Sequence, residues 1–254
     1  AAGALIFFCR SKADIICIKN LPHWGYLFTK EGISMRRFLI PLMLFLLFCP
    51  SVHAAAQPEL THTAFLCGYP DGTIRPDAAV TREELACVLF RLIQTPLPAH
   101  TPFAFADVSQ SRWSYPAIAA LAGLELLPLG SGGLFDPRKA VSWRDFTAVL
   151  DTLQTSATGQ ECFPALVYAW STKPTLAHSE DSAADMAMTR AELARAINSL
   201  LGRFPSADDA QLAAANRYSD NQDPSRWYYA ALVEASVGHT CTQTAAGERW
   251  SAVG

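Results

Sequence analysis

The stretch Thr81-Arg82-Glu83-Glu84-Leu85 decides the fold, because it recurs twice further along the chain. In every copy a hydroxyl residue is followed three positions later by a carboxylate, the arrangement of a capping box at a helix start. The other copies are Ser142-Trp143-Arg144-Asp145-Phe146 and Thr189-Arg190-Ala191-Glu192-Leu193. The sequence therefore predicts three helices that begin alike, with caps at Thr81 and Glu84, at Ser142 and Asp145, and at Thr189 and Glu192.

The residues after each cap repeat one apolar pattern. Counted from the cap, apolar side chains recur at the spacing of one face of an α-helix. The three sets are Leu85, Val88, Leu89 and Leu92; Phe146, Val149, Leu150 and Leu153; and Leu193, Ala196, Ile197 and Leu200. This pattern indicates one buried stripe per helix, as in a protein built from repeats.

A Gly-rich turn precedes the first two of these helices. Gly68 to Pro76 contains Asp-Gly, and Gly130 to Pro137 contains Gly-Gly, which are turn dipeptides because Gly accepts a positive φ. The third copy lacks this turn, since His178 to Met188 contains neither Gly nor Pro.

An aromatic-x-Asp segment followed by Trp is the third recurring element. It occurs from Phe105 to Tyr115 and again from Tyr218 to Tyr229. These copies lie about two repeat lengths apart, which leaves room for one between them, and Phe163 to Trp170 is a degenerate candidate for it.

The order of these elements resembles the S-layer homology family, from about Phe65 to the C-terminus. The hallmark of that family is a Gly-x-x-Asp-Gly-Thr turn followed by a Thr-Arg-Ala-Glu helix, and Gly68 to Thr73 and Thr189 to Glu192 match these two motifs. The resemblance implies a mainly α fold of tandem helix-loop-helix repeats, arranged as three lobes about a pseudo-threefold axis. Such a ring would close by pairing the C-terminal half-unit with the N-terminal one.

The repeats divide the chain into units. Residues 1–34 are expected to be a translated leader or an N-terminal extension, and residues 35–56 a signal peptide. The remaining segments are 57–98, the second half of a first unit; 99–157, a second unit; 158–203, a degenerate third unit; and 204–254, a fourth half-unit with a C-terminal tail.

The stretch from Met35 to Phe48 has the basic and apolar regions of a secretory signal peptide. Its apolar part is too short to span a bilayer as a helix, and Ala54 and Ala56 supply an A-x-A cleavage site. The mature chain is therefore expected to be exported to the cell wall or cell surface, without a membrane span.

Composition and motifs disfavour several classes of function. The chain has 20 basic and 23 acidic residues, and the residues after position 56 keep 14 and 21 of them, a net charge near −7 that disfavours nucleic-acid binding. The sequence carries no metalloprotease, serine-hydrolase, P-loop or dinucleotide motif, so we expect no enzyme and no cofactor.

Four cysteines remain in the mature region: Cys67, Cys87, Cys162 and Cys241. Their spacing lacks a C-x-x-C pair, and on this ground we expect no metal site. Cys87 lies beside the apolar stripe of its helix, which favours a buried thiol. A disulfide stays open, because the spacing assigns no partners.

Arg82 and Arg190 are the candidate ligand-binding residues. They lie in the first helical turn, where a cation faces the positive end of the helix dipole, and a residue placed against a local rule at matched positions suggests anion binding. In the S-layer homology family this Arg is implicated in binding the acidic secondary polymer of the cell wall, which often carries pyruvate ketals. The resemblance carries that role to Arg82 and Arg190, with the Asp71-Gly72 turn shaping the pocket. In the second copy Trp143 takes the place of the Arg.

Trp113 and Trp227 each precede a predicted helix and allow two readings. A large aromatic side chain serves either as a core anchor or as a platform that stacks on a sugar face. Both readings stay open at the level of sequence.

The function expected from this pattern is non-covalent anchoring of an exported protein to an anionic secondary cell-wall polysaccharide. Two alternatives remain. One is a structural or protein-interaction scaffold that has lost polymer binding and contacts a surface protein. The other is the N-terminal anchor of a larger surface enzyme.

Overall fold

The computed structural model describes residues 57–127, 133–172, 184–245 and 247–254. The expected leader and signal peptide, residues 1–34 and 35–56, lie outside the described residues. So do the first part of the second Gly-rich turn and most of the segment before the third capping box.

Helices form most of the regular structure, which confirms the predicted mainly α class. None of the described helices is both long and apolar enough to cross a membrane. The helices are α1 (Arg82–Arg91), α2 (Tyr115–Gly123), α3 (Trp143–Thr155), α4 (Ala157–Cys162), α5 (Pro164–Thr172), α6 (Arg190–Leu201), α7 (Ala210–Ala215) and α8 (Tyr229–Ser236).

Helices α1, α3 and α6 each begin with a capping box. In α1 the Thr81 side chain accepts a hydrogen bond from Glu84 N, and the Glu84 carboxylate accepts one from Thr81 N at 2.9 Å. These bonds satisfy backbone donors that a helix start leaves without an intrahelical partner, at a gain on the order of 1 kcal/mol per cap. All residues of the three apolar stripes are buried in one core.

A closed cycle of backbone hydrogen bonds joins the starts of these three helices. Val80, Val141 and Met188 are buried residues, and each directly precedes a cap residue. Val80 N donates to Met188 O, Met188 N to Val141 O, and Val141 N to Val80 O, each at 2.8 Å. Because each segment donates to one neighbour and accepts from the other, the cycle fixes the three helix starts relative to one another.

Two aspartates hold the Gly-rich turns in equivalent ways. The Asp107 carboxylate accepts from Phe135 N at 3.0 Å and from Asp136 N at 2.7 Å. Asp220 accepts from Ile74 N at 2.8 Å and from Arg75 N at 2.7 Å, so a residue near the C-terminus completes the first turn. Arg75 and Asp136 have positive φ angles of 52° and 56°, a conformation that costs energy for residues other than Gly. The carboxylate bonds stabilise it.

The described residues contain a β-sheet, an element that was not predicted from the sequence. Its strands are β1 (Glu59–His62), β2 (His239–Thr244) and β3 (Gly247–Val253), all antiparallel in the order β1-β2-β3. The predicted C-terminal tail is therefore a β-hairpin that pairs with the N-terminal strand. The side chains of Leu212, Tyr229, Val233, Val237, Cys241 and Trp250 form a second, smaller core beside it.

Candidate functional site

A groove of about 600 Å³ lies beside α1, where three parts of the chain meet. The first Gly-rich turn, helix α1 and single residues from the second and third units line it. The polar and aromatic lining residues are Cys67, Tyr69, Thr81, Glu83, Glu84, Cys87, Arg91, Trp113 and Arg190. Of the residues predicted for the ligand site, the groove brings together Trp113 and Arg190.

Arg190 lies in the wall of the groove and is almost completely buried, with 2% of its side chain exposed. Its guanidinium donates from Nη1 to Glu84 Oε1 at 2.9 Å, from Nη2 to Cys67 O at 2.6 Å and from Nε to Ile74 O at 2.7 Å. Tyr69 donates its hydroxyl proton to the same Glu84 oxygen at 2.8 Å. Arg190 therefore ties the first turn to α1.

Arg82 occupies the matching place on the second turn. Its Nε donates to Phe135 O at 2.6 Å, and its Cζ lies 4.9 Å from the centroid of the Phe135 ring. Phe135 aligns with Ile74, the residue whose carbonyl Arg190 contacts. Both arginines therefore reach the turn of another unit, and Arg82 does not line the groove that contains Arg190.

Glu83, a lining residue of the groove, forms an ion pair with Arg112, which lies outside the lining. Arg112 donates two hydrogen bonds to Glu83, at 2.6 Å and 2.7 Å, and Ser114 Oγ donates a third at 2.7 Å. Burial alone raises the pKa of Glu83, but these hydrogen bonds outweigh it, so the pKa lies below its usual value of 4.5. The carboxylate is therefore charged at neutral pH.

Asp71 and Gly72 lie in the turn but not in the groove lining. Asp71 accepts hydrogen bonds from the Thr73 backbone and hydroxyl and forms an ion pair with Arg75 at 2.8 Å. The hydrogen bonds from Thr73, and then that from Arg75, lower the Asp71 pKa to about 2. Gly72 has a φ of 78°, which explains why the turn requires Gly at this position. The two residues therefore act on the groove through the shape of the turn.

Neither candidate tryptophan is a core anchor. Trp113 is 60% exposed and Trp227 is 53% exposed. Trp113 borders the groove, whereas Trp227 lies outside the groove lining, in contact with Tyr228 and beneath the Arg195 guanidinium. These exposures contradict the core-anchor reading, and the platform reading stays a prediction.

The second capping helix has no arginine in the equivalent place. Arg144 lies one position further along and forms an exposed ion pair with Asp185, with Nε 2.7 Å from Oδ1. Trp170, the aromatic residue of the degenerate segment, is buried and donates its indole proton to Asp151 at 2.8 Å. The second unit therefore departs from the repeated pattern at its capping helix, and the third unit departs from it in its aromatic segment.

Tyr69, Glu83 and Arg91 line the groove but were not among the predicted site residues, and neither was Arg112, the partner of Glu83. Arg112 was visible in the repeated Ser-Arg-Trp segment, but its partner Glu83 lies 29 positions earlier, in another unit. All four cysteines of the described residues are free thiols. Cys87 is buried, which confirms the expectation, and burial raises its pKa to about 11.

Residues 60–86 and 104–142 match the family model of the S-layer homology domain. The chain carries S-layer homology sequence. The first of these S-layer homology segments includes the turn that borders the groove, and the second includes Asp107, Arg112 and Trp113. Most lining residues of the groove therefore belong to the first matched segment, and the second contributes Trp113.

Two curated proteins with similar sequences come from Acetivibrio thermocellus. Cell surface glycoprotein 1 is 29% identical over 107 residues, which are 41% of this chain and 5% of that protein. The cellulosome-anchoring protein is 29% identical over 91 residues, which are 35% of this chain and 20% of that protein. The match to this chain thus spans a fifth or less of the length of these relatives.

Proposed function

We propose that the chain anchors an exported protein at the cell surface by binding an anionic secondary cell-wall polysaccharide, pyruvylated or carrying another acidic group, in the groove beside α1. The S-layer homology match supports this, as do the names of the two relatives, a cell surface glycoprotein and a cellulosome-anchoring protein. The role is non-catalytic in this proposal. The observation that carries it is the exposed indole of Trp113, which shares the groove with Arg190.

Trp113 supplies the platform for a sugar ring. More than half of its surface is exposed, although burying an indole is strongly favourable. A sugar face that covered the indole would recover part of that energy. The exposure thus favours a ligand that is apolar on one face and polar at its edge, as a pyranose ring is.

The charges of the groove favour an acidic substituent beside Arg190. The Arg190 guanidinium and the Tyr69 hydroxyl both donate to Oε1 of Glu84. In this proposal a carboxylate of the ligand competes with Glu84 for the hydrogen bond from Nη1 of Arg190. Arg91 adds a second cation to the lining. Arg82 has the corresponding role on the second turn in this proposal, and the Asp71-Gly72 turn keeps the first one open.

We also propose that the units form three lobes around the cycle of Val80, Val141 and Met188. A second set of bonds supports this arrangement: Arg82 N donates to Lys139 O and Arg190 N to Ala78 O at 2.9 Å, and Trp143 N donates to Met186 O at 3.2 Å. Each capping helix thus receives an acceptor from the segment before another capping helix.

Co-sedimentation with purified cell-wall sacculi tests the anchoring proposal. The protein is expected to pellet with intact sacculi and to stay in solution once the secondary polymer is stripped. Trp113→Ala is expected to weaken binding about tenfold or more, which corresponds to about 1.4 kcal/mol or more, because the substitution removes the platform.

Trp227→Ala is the matched control, since this Trp is similarly exposed and also precedes a helix but lies outside the groove lining. Equal losses in the two variants would contradict a site at the groove. A wild-type protein that never pellets would refute polymer binding and favour the scaffold reading.

A further inference from the structure

Four potential metal ligands converge at the sheet, outside the lining of the groove. They are His62 on β1, His239 and Cys241 on β2, and Glu248 on β3. One donor atom from each lies within 4.8 Å of the others, and all four side chains are buried except for part of His62. The cluster combines nitrogen, sulfur and oxygen donors.

The register of the sheet explains why residues so distant in sequence meet. His62 pairs directly with His239 across β1 and β2, and Cys241 pairs with Trp250 across β2 and β3. Side chains two positions apart on a strand lie on the same face, so His239 is beside Cys241 and Glu248 is beside Trp250. The sheet therefore places four donors on one face.

Two buried polar atoms of this cluster make no hydrogen bond among the described residues: Oε2 of Glu248 and Nε2 of His239, whose side chains are at least 98% buried. Nε2 of His239 does lie 3.1 Å from Oε2 of Glu234, so it can pair with that carboxylate when the ring is protonated. A buried polar atom without a partner costs roughly 1–3 kcal/mol. Both atoms would be satisfied by a cation between them.

The histidines have the outer contacts that metal ligands usually have. His239 Nδ1 lies 3.0 Å from Val237 O, so a proton on Nδ1 donates to that carbonyl and leaves the Nε2 lone pair on the cluster side. His62 Nδ1 lies 2.9 Å from Glu234 Oε1, which orients this ring in the same manner. Backbone carbonyls and carboxylates typically occupy these outer positions around a metal-bound His.

We propose that His62, His239, Cys241 and Glu248 form a binding site for a divalent transition metal, with zinc as the best match. Zinc accepts nitrogen, thiolate and carboxylate ligands in tetrahedral geometry. Ligand atoms at bond lengths of about 2.0–2.3 Å from one ion lie roughly 3.3–3.8 Å apart. With His62 Nδ1 bonded to Glu234, the nitrogen left for a metal is Nε2, which lies 4.0 Å from Cys241 Sγ.

Charge balance supports a divalent ion. The cluster and its immediate surroundings contain the carboxylates of Glu234 and Glu248 and the cation of Arg203. On metal binding the Cys241 thiol releases its proton to solvent. The negative charges of Glu234, Glu248 and the Cys241 thiolate then balance the positive charges of Arg203 and the divalent ion.

The rival arrangement is a buried ion pair without metal, in which a protonated His239 donates from Nε2 to Glu234 Oε2 at 3.1 Å. It satisfies His239 but leaves Oε2 of Glu248 without a partner. The two arrangements differ in one measurable property, because only the first one takes up metal.

The test uses the full chain, stripped with a chelator and then titrated with Zn²⁺. We expect one equivalent of bound zinc by elemental analysis, a higher thermal unfolding midpoint with Zn²⁺, and a change in the fluorescence of Trp250, whose ring stacks on His239 at 3.6 Å. In the Co²⁺ form, a thiolate-to-cobalt charge-transfer absorption is expected.

Cys241→Ser is expected to abolish that absorption and to weaken zinc binding at least tenfold, and His239→Gln to weaken it similarly. Cys67→Ser is the control, because it removes an exposed thiol outside the cluster and should leave both signals intact. If the Cys241 variant fails to fold, the stoichiometry and the cobalt spectrum of the unaltered protein still decide. The proposal would be overturned in favour of the ion pair if no zinc is bound. It would also be overturned if zinc is bound but the Co²⁺ form lacks the thiolate-to-cobalt absorption.

Discussion

At the scale of single residues, Arg190 shows how a helix tolerates a cation in its first turn. The helix dipole opposes this placement by about 0.3–1 kcal/mol. Its three acceptors all lie outside α6, and a hydrogen bond to a charged group contributes about 1.5–3 kcal/mol. The contacts between units therefore outweigh the local penalty, which gives this arginine a structural role beside any ligand.

Replacing Arg190 by Ala should destabilise the protein by about 3–5 kcal/mol, because Glu84 and two carbonyls would lose a buried partner. Urea unfolding followed by circular dichroism measures this loss. Arg195→Ala, at an exposed position of the same helix, is the control and should change stability by no more than about 0.5 kcal/mol. A loss below about 1 kcal/mol in Arg190→Ala would show that the buried contacts contribute little.

At the scale of elements, the two Gly-rich turns share one mechanism. Each turn places a residue other than Gly at positive φ, and each is held by an aspartate from a distant aromatic-x-Asp segment. For Asp107 the partner turn is 28 positions away, and for Asp220 it is 146 positions away. The same local geometry is thus assembled once within a unit and once between the two ends of the chain.

Asp220→Asn should destabilise the protein by about 1–3 kcal/mol, because an amide offers one acceptor oxygen to the two amide protons of Ile74 and Arg75. Hydrogen exchange at these two amides should become faster, and urea unfolding should remain a single transition. Asp223→Asn is a suitable control, since this exposed carboxylate contacts only the nearby Ser225 and Arg226 in the described residues. Unchanged exchange at Ile74 would argue against the bond between the chain ends.

At the scale of the whole molecule, contacts between distant segments join the described residues, and we expect these residues to unfold as one cooperative unit. The sheet joins β1 to the C-terminal hairpin, and Phe65 N donates to Ala235 O at 2.9 Å. Carboxylates also bridge units, as in the pair of Glu83 and Arg112. Protonation of such carboxylates should therefore loosen the whole fold.

Acid should destabilise the protein, in part because it protonates the Glu83 carboxylate and so weakens the ion pair with Arg112. The pKa of Glu83 in the folded state is below the usual 4.5, so the stabilisation is complete above that value and is lost as the pH falls through the lower, folded-state pKa. Glu83→Gln should be less stable than the wild type at neutral pH and should lose less further stability in acid. Urea midpoints across that range measure both effects, and Glu161→Gln, at an exposed carboxylate of α4, is the control. Parallel curves for the wild type and Glu83→Gln would refute this prediction.

Part of the candidate site was predictable from the sequence and part was not. The repeated motif identified Arg190 and Trp113, because both occupy matched positions in repeated segments. It did not place them in one groove, nor did it show that Arg82 faces another turn. The partners of Arg190 come from residues up to 123 positions away, and no local spacing encodes such distances.

The three helix starts and their buried stripes can be read from the sequence, because caps and helical periodicity are set by residues within a few positions of one another. Other features become visible only once the chain is folded: the cycle of Val80, Val141 and Met188, the completion of the first turn by Asp220, and the sheet that gathers His62, His239, Cys241 and Glu248. These features depend on which distant segments pack together. Which segments pack together depends on the apolar surface buried over the whole core, and no residue pattern within a single segment specifies it.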